Sequence, residues 1–192
     1  MGRKATLDEE ELITRLGVVF RDVGYEGATL TALSQATGLK KASLYHRFPA
    51  GKEQMAREVL ESARAWLEEN ILSQLRGKGT PAARIGNMVK QLDSFYSGGK
   101  QACLLNMLSS AHIHEGPFTD QIKQIFEAWI DALSSVLMDA ALEPKAARAR
   151  AERAVILLQG SLVFSRGMGT TRPFREFLTS LPSDLLAGAP KA

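Results

Sequence analysis

Side chains that suit hydrogen bonding to a polyanion are concentrated between Lys40 and Lys52 of this 192-residue chain. Lysine donates to O6 and N7 of guanine, and a serine hydroxyl acts as donor or acceptor. We therefore predict that Lys40, Lys41 and Ser43 reach base edges. Hydroxyl, imidazole and ammonium groups nearby suit phosphate oxygens instead. The predicted phosphate contacts are Thr29, Thr31, Tyr45, His46 and Lys52.

The positive charge of the chain is local. The net charge is +3, which is only a mild basic bias. Between Ala36 and Arg57, however, five cations stand against a single acid, Glu53. Taken in isolation, such a run fits a solvated basic surface better than a binding surface. Its position within the predicted helices is what favours a nucleic-acid partner.

The element before this run is predicted to be an amphipathic helix. Thr6 and Glu9 have the spacing of a capping box, and Gly24 suits the C-terminal end. Between them apolar residues recur every three or four positions, which is the helical period. These residues are Leu12, Ile13, Leu16, Val19, Phe20 and Val23. The apolar stripe is predicted to pack against the two short helices that follow.

Thr29 has the residue type of an N-cap for the first of these short helices, and Gly38 supplies the turn after it. The second is predicted from Lys41 to Phe48, with Leu44 and Phe48 facing inward. A helix of two turns is not stable alone, so packing must hold it. This is the layout of a helix-turn-helix, whose second helix enters the DNA major groove.

The rest of the chain is predicted to be helical too. One helix is predicted from about Lys52 to Arg76, roughly 37 Å long at ~1.5 Å per residue. Later helices are predicted to begin at Thr80-Pro81, Cys103, Pro117, Pro144 and Pro173, with a loose tail after Pro182. No segment shows convincing period-two alternation. The predicted fold is all-α with about nine helices, in a helix-turn-helix DNA-binding domain (residues 1–51) and a ligand-binding and dimerisation domain (residues 52–192).

Aromatic, methionine and amide side chains of the C-terminal helices predict a pocket, because drug-sized ligands occupy apolar cavities that carry a few polar groups. For any one of these residues, an ordinary core position is the simpler interpretation. Asn106 and Gln159 are the polar members that we would mutate first. The predicted ligand-binding residues are Trp66, Asn70, Phe95, Tyr96, Asn106, Met107, Phe126, Trp129, Gln159 and Phe164.

Small residues on the helix that begins at Pro144 allow another helix to approach closely. They predict either an ordinary buried helix or a dimer interface. A protein that reads DNA with one two-turn helix usually needs a twofold partner to read two half-sites, which favours the dimer. The predicted interface residues are Ala151, Ala154, Leu158, Ser161 and Leu162.

Several classes of function lack support in the sequence. The chain has one cysteine, Cys103, no signal-peptide pattern and no run of ~18 apolar residues, so we expect a cytoplasmic protein without disulfides or membrane spans. His112 and His114 are two residues apart and would point to opposite sides of a helix, so a loop is expected there and no metal site. Nucleotide-binding and hydrolase motifs are absent, and we expect neither enzyme activity nor a cofactor.

These residues together resemble the TetR family of transcriptional regulators. The resemblance covers roughly residues 8–55 and rests on Phe20, Gly24, Thr29, Leu33, Gly38, the run Ser43–Phe48 and Lys52-Glu53. Further along, Cys103–Leu105, Leu158–Val163 and Pro173-Phe174 look like the branch of multidrug- or flavonoid-responsive repressors. Lys40 stands where such proteins often carry serine. The resemblance implies a homodimer that binds a palindromic operator and is released by a small apolar effector.

Two alternatives remain at this point. A helical protein of the same fold could bind small molecules without binding DNA, although the Lys40, Lys41 and Lys52 cluster argues against that. Within the same class, an activator has no sequence feature that separates it from a repressor.

Overall fold

The computed structural model describes residues 7–109 and 116–189, which form helices and connecting segments without a strand. The helices are α1 Glu9–Gly27, α2 Leu30–Thr37, α3 Lys41–Arg47, α4 Gly51–Leu67, α5 Ser73–Arg76, α6 Pro81–Phe95, α7 Leu104–Leu108, α8 Thr119–Asp139, α9 Pro144–Met168 and α10 Arg172–Leu186. The prediction of an all-α fold is confirmed.

Between α4 and α5 the backbone widens into a π-helical turn at Glu68–Leu72, where the Ser73 N–H donates to the carbonyl five residues back. Residues on both sides of this turn keep helical φ and ψ angles. The whole run corresponds to the single helix predicted from Lys52 to Arg76. Counted as one helix, it brings the described part of the chain to the nine helices predicted.

Most of the predicted helix ends are confirmed. The Thr29 and Thr80 hydroxyls cap α2 and α6, accepting from backbone N–H groups at 3.1 and 3.3 Å. The start of α1 differs, because its cap is the Asp8 carboxylate, which accepts from the Glu11 N–H at 2.7 Å. Thr6, the predicted cap, lies outside the described residues. At Gly24 (φ 71°) the backbone leaves the helical conformation. The regular helix therefore ends there, although the assigned range of α1 extends to Gly27.

Two proline predictions are wrong. Pro117 does not open a helix, since α8 begins at Thr119. Pro182 does not end one, since α10 runs through it to Leu186. Proline removes one hydrogen bond and strains the preceding turn. In α10 the burial of Leu181 and Leu185, on either side of Pro182, offsets that cost.

The described residues pack as two units. The first contains the chain up to Ala63 together with Leu104–Thr119, and the second contains Arg64–Cys103 and the chain from Asp120 onward. The linear division at residue 51 therefore does not follow the packing, which adds part of α4 and all of α7 to the first unit. In that unit α7 packs on α1, where a Cβ atom built on Gly24 would lie only 3.1 Å from the Met107 carbonyl oxygen.

Each unit has its own apolar core. In the first, Leu16, Phe20, Leu33, Leu44, Phe48 and Met55 are fully buried. In the second, Ile71, Leu75, Ile85, Val136, Ala151 and Phe174 are fully buried. The first core holds the short helices α2 and α3, which with their N-cap residues carry all of the predicted DNA contacts except Lys52, at the start of α4.

Candidate DNA interface and small-molecule site

Side-chain hydrogen bonds fix the turn between α2 and α3. The Ser34 hydroxyl donates to the Leu39 carbonyl at 2.5 Å, and the Thr37 hydroxyl donates to the Leu33 carbonyl at 2.8 Å. Gly38 at the turn has φ 71°, the left-handed region that favours glycine. The Ser34 hydroxyl therefore holds the backbone that leads into α3.

The outer surface of α3 carries the residues predicted to read bases. Lys40, Lys41 and Ser43 are all exposed. Lys40 occupies the N-cap position of α3 and makes no side-chain capping bond, as expected for a side chain with only donors. Neither lysine has an ion-pair partner within residues 7–109 and 116–189. Both ammonium groups are therefore available to a polyanion.

The predicted phosphate contacts Tyr45, His46 and Thr31 are also exposed. The Tyr45 ring leans toward Gly51, where a Cβ atom would lie 3.5 Å from the ring carbon Cε1, and 48% of the residue is accessible. Thr29 is exposed, but its hydroxyl oxygen accepts the capping bond of α2. Since a hydroxyl is also a donor, it can still donate to a phosphate oxygen.

Two of the five cations counted in the sequence are engaged in ion pairs and hydrogen bonds within the protein. Arg47 lies 2.5 Å from a Glu9 carboxylate oxygen and 3.2 Å from one of Glu58. Arg57 pairs with Glu53 at 2.8 Å and donates to the Pro117 carbonyl at 2.8 Å. Most of these partners are distant in sequence, so a charge count could not reveal them. The surface near α3 therefore offers fewer available cations to DNA than the charge count in the sequence suggested.

Lys52 is partly used inside the protein. Its ammonium donates to the Tyr25 carbonyl at 2.8 Å and lies 4.2 Å from the centre of the Tyr25 ring. Burial raises the pKa of the Tyr25 phenol, and the Glu53 and Glu26 carboxylates raise it further. The ring stays neutral at physiological pH and suits the cation–π contact. An ammonium has three donors, so a phosphate contact remains possible alongside this one.

In the second unit, a row of aromatic rings runs from partly exposed Trp66 to fully buried Phe174. Trp66 stacks on Phe95 with ring centres 3.9 Å apart, and Phe95 meets Tyr96 edge-on at 5.0 Å. Tyr96 in turn contacts Phe174, and its hydroxyl lies 3.4 Å from the sulfur of Cys103. Three of the predicted ligand-binding residues therefore lie in one row, with Phe95 in contact with both Trp66 and Tyr96.

Trp129, on α8, lines a small apolar cavity within the second unit. The cavity volume is about 10 Å³, close to the room that one water molecule needs. Its lining residues are Met88, Leu92, Trp129, Leu133, Ala154, Val155, Leu158, Phe177 and Leu181. Gln159, on α9, has its amide atoms shielded from solvent.

Other predicted ligand-binding residues lie elsewhere. Phe164 is 60% exposed on α9, and Asn106 is exposed on α7 in the first unit together with half-buried Met107. The Asn70 amide donates to the Trp66 carbonyl at 3.0 Å, within the turn that leads into the π-helical segment. Phe126 is half-buried on α8.

The residues predicted for the dimer interface do not form an exposed surface of α9. Ala151, Ala154, Leu158 and Leu162 are buried within the protomer, and Ser161 is half-buried. The opposite face carries exposed apolar side chains at helical spacing, with Gly160 and Gly167 among them. These exposed residues are Ile156, Leu157, Val163, Phe164 and Met168. Below, this set is called the outer face of α9.

Two further observations concern the described residues. No helix among them combines the length and the apolar character that crossing a membrane requires. They contain no group of three or more His, Cys, Asp or Glu side chains arranged to hold a metal ion. His112 and His114 lie outside them.

A two-turn helix with exposed lysine, serine and tyrosine, held on a buried three-helix core, defines a helix-turn-helix DNA-binding protein. Comparison with known families gives the particular class. Residues 18–59 match the family model "Bacterial regulatory proteins, tetR family", and residues 81–179 match "Transcriptional regulator LmrA/YxaF-like, C-terminal domain". The second match spans 99 of the 192 residues. The chain belongs to the LmrA/YxaF-like group of the TetR family and is a DNA-binding transcriptional regulator.

Individual relatives agree with this assignment. The chain is 21% identical to the HTH-type transcriptional regulator LmrA of Bacillus subtilis over 180 residues, 92% of this chain and 95% of LmrA. A TetR transcriptional regulator from Legionella pneumophila shares the fold with a TM-score of 0.79 at 19% identity, covering 92% and 97% of the two chains. The regulator CifR, solved with 26-base-pair operator DNA, has a TM-score of 0.74 at 19% identity, covering 97% and 100%.

Proposed function

We propose that this protein is a homodimeric repressor that binds a palindromic operator through α3 and is released by a small molecule bound in the second unit. The observation that carries the proposal is the exposed set Lys40, Lys41, Ser43 and Tyr45 on a helix whose other side is buried. Such a regulator acts by binding, without catalysis, and reads DNA in the cytoplasm. The operator complex of the similarly folded CifR supports this use of the fold.

The outer face of α9 supports the dimer. Its exposed apolar side chains form a stripe, and contiguous apolar patches on soluble proteins mark interaction sites. Gly160 and Gly167 have nothing within 4 Å of an added Cβ atom, which leaves room for a second helix. A twofold pairing of this face would bring two copies of α3 to two half-sites, about one helical turn (~34–36 Å) apart.

Release requires that the ligand prefers a conformation that does not fit the operator, because only differential affinity shifts an equilibrium. We assign the coupling to α4, which contributes residues to both units. Arg57 on α4 donates to Pro117, and Phe118 contacts Tyr25 edge-on at 4.9 Å, so Leu104–Thr119 is joined to the helix-turn-helix. Movement of this segment would reach the DNA-binding helices directly.

Fluorescence anisotropy with the DNA upstream of the protein's own gene tests the proposal. We expect saturable binding of two protomers per site, competed by unlabelled operator and far less by random DNA. In vitro transcription from the same promoter should fall as protein is added. Loss of binding specificity would favour the alternative, a small-molecule-binding protein that does not read DNA, and increased transcription would favour an activator.

A further inference from the structure

Arg47, the last residue of α3, is held by carboxylates from two other helices. Its Nη2 nitrogen donates to a Glu9 carboxylate oxygen of α1 at 2.5 Å and to a Glu58 carboxylate oxygen of α4 at 3.2 Å. An arginine Nη nitrogen carries two hydrogens, so both are used here. One side chain therefore joins the C-terminal end of α3 to α1 and α4 within the first unit.

The connection continues into the turn between α3 and α4. The Gln54 amide nitrogen donates to the other Glu58 oxygen at 2.9 Å, and the Gln54 amide oxygen accepts from the Ala50 backbone N–H at 3.1 Å. The Arg47 guanidinium also lies 4.9 Å from the centre of the Phe48 ring. Glu58 is therefore itself held in place, which gives Arg47 a fixed partner.

Apolar contacts alone define the rotation of α3 about its own axis only weakly. Its buried side chains are Leu44 and, at the C-cap, Phe48, which lie four residues apart on one line. Burial of apolar surface has no preferred direction, whereas a hydrogen bond requires a particular distance and angle. Arg47 lies to one side of that line, since each residue turns the helix by about 100°. A bond there resists rotation of α3, and that rotation decides where Lys41 and Ser43 point.

The local charge argues against a DNA contact by Arg47 itself. Two carboxylates stand against one guanidinium, which leaves one negative charge in excess at this site. A phosphate group would meet that excess charge, and like charges brought together are unfavourable. Lys40 and Lys41 differ, because neither has an ion-pair partner in the described part of the chain.

We propose that Arg47 is a positioning residue for operator recognition, held by Glu9 and Glu58 so that α3 presents Lys41 and Ser43 to the bases. Arg47 itself does not bind the DNA. The inference rests on the proposed binding of the operator through α3. It adds three residues that set the specificity of this binding without touching the DNA.

Fluorescence anisotropy with operator DNA and with random DNA tests the positioning role. The measured quantity is the ratio of the two affinities, in which a general effect of net charge on DNA binding cancels. Arg47→Met keeps an unbranched side chain beside Phe48 and should lower the ratio about tenfold, the size of one lost base contact. Glu58→Gln should lower the ratio to a similar extent. The double variant should match the single variants, because both changes remove the same connection.

The salt dependence distinguishes positioning from a direct phosphate contact. If Arg47 bound a phosphate, Arg47→Met would reduce the magnitude of the slope of log affinity against log salt concentration by about 0.9, and Glu58→Gln would free the guanidinium and strengthen binding. We expect an unchanged slope for Arg47→Met. Glu10→Gln is the matched control, because it removes the same charge from an exposed neighbour of Glu9 that forms no ion pair within residues 7–109 and 116–189. It should leave the ratio unchanged.

Nuclear magnetic resonance of the ¹⁵N-labelled full chain tests the same connection without DNA. The amide signals of Lys40 and Lys41, at the opposite end of α3 from Arg47, should move in Arg47→Met and Glu58→Gln and stay in place in Glu10→Gln. The variants should remain folded, because partly exposed ion pairs contribute little to stability. Glu9→Gln serves as the second variant if Arg47→Met does not fold.

Three outcomes would overturn the positioning role. They are an unchanged affinity ratio in the folded Arg47→Met and Glu58→Gln proteins, a reduced salt slope in Arg47→Met, and amide signals of Lys40 and Lys41 that do not move. All three leave operator binding by the unaltered protein intact. Failure of the unaltered protein to prefer operator over random DNA would overturn the proposed function and the positioning role with it, so the two failures are distinguishable.

Discussion

At the scale of single residues, Lys52 makes a contact within the fold and is also a proposed DNA contact. Its ammonium is bonded to the Tyr25 carbonyl and lies against the Tyr25 ring, whereas Lys41 has no such partner among the described residues. A truncated Lys52 should therefore lose a stabilising contact as well as a DNA contact. A truncated Lys41 should lose only the DNA contact.

Lys52→Ala is expected to lower the free energy of unfolding by about 1 kcal/mol, since the bond involves a charged donor but is only half-buried. It should also weaken operator binding. Lys41→Ala should leave the free energy of unfolding unchanged and weaken operator binding. Urea denaturation gives the stability, and anisotropy at several salt concentrations gives the affinity.

The salt dependence separates base contacts from phosphate contacts. Each lost contact between a lysine or arginine and a phosphate reduces the magnitude of the slope of log affinity against log salt concentration by about 0.9. We expect this reduction for Lys52→Ala and for Tyr45→Phe no more than a small change, because a phenol carries no charge to release counterions. An unchanged slope in Lys52→Ala would show that Lys52 serves the fold alone.

The cap at Thr29 gives a second test at this scale. Thr29→Ala removes the acceptor for the Ala32 N–H, and loss of a cap costs about 1 kcal/mol. Thr29→Ser keeps the acceptor and should retain most of the stability. Urea denaturation of the two variants checks this, and equal stability of both would rule out the hydroxyl as a stabilising cap.

At the scale of helices, local signals carried most of the prediction. Thr29, Gly38 and Pro144 mark helix ends by their own backbone preferences, and the structure agrees at each. Predictions failed where contacts between residues that are distant in sequence determine the structure. The passage of α10 through Pro182 depends on burial of side chains from the following turn, and the packing of α7 on α1 joins residues about 80 positions apart.

The site was predictable to a similar extent. Exposure of Lys40, Lys41 and Ser43 follows from the inward spacing of Leu44 and Phe48, a local pattern. The outer face of α9, which we propose as the dimer face, did not follow, because α9 is apolar on two opposite sides. One side packs within the protomer and the other is exposed, and a helical period alone does not say which is which.

Gly99 provides a test of packing between helices. It has φ 90°, and a Cβ atom there would lie 2.8 Å from the Phe174 ring. Gly98 beside it has φ 66° and open space around an added Cβ. Both Gly→Ala variants strain the backbone, by roughly 1–2 kcal/mol, but only Gly99→Ala also displaces a fully buried ring. Gly99→Ala should therefore have the lower melting temperature. Equal melting temperatures would show that the Phe174 ring and α10 can shift without loss of stability.

At the scale of the whole molecule, the proposed function depends on the outer face of α9. A single copy of α3 can make few base contacts. In a dimer, binding of one α3 to its half-site holds the second α3 near the other half-site, so the two contacts reinforce each other. The residues that set operator affinity therefore include some that never approach DNA. Phe164, 60% exposed at this face, is the side chain whose change tests the idea most directly.

Phe164→Glu places a charge on each side of the twofold interface, where burial without a partner is unfavourable. Sedimentation equilibrium should give one chain, 20.9 kDa, for the variant and twice that for the unchanged protein. Operator affinity should fall by about 100-fold or more, because the half-sites are no longer linked. Thr179→Glu, at an exposed position of α10, adds the same charge and should leave both measurements unchanged. If Phe164→Glu remains a dimer with full operator affinity, the two copies associate through another surface, and the spacing of their α3 helices must be set elsewhere than at α9.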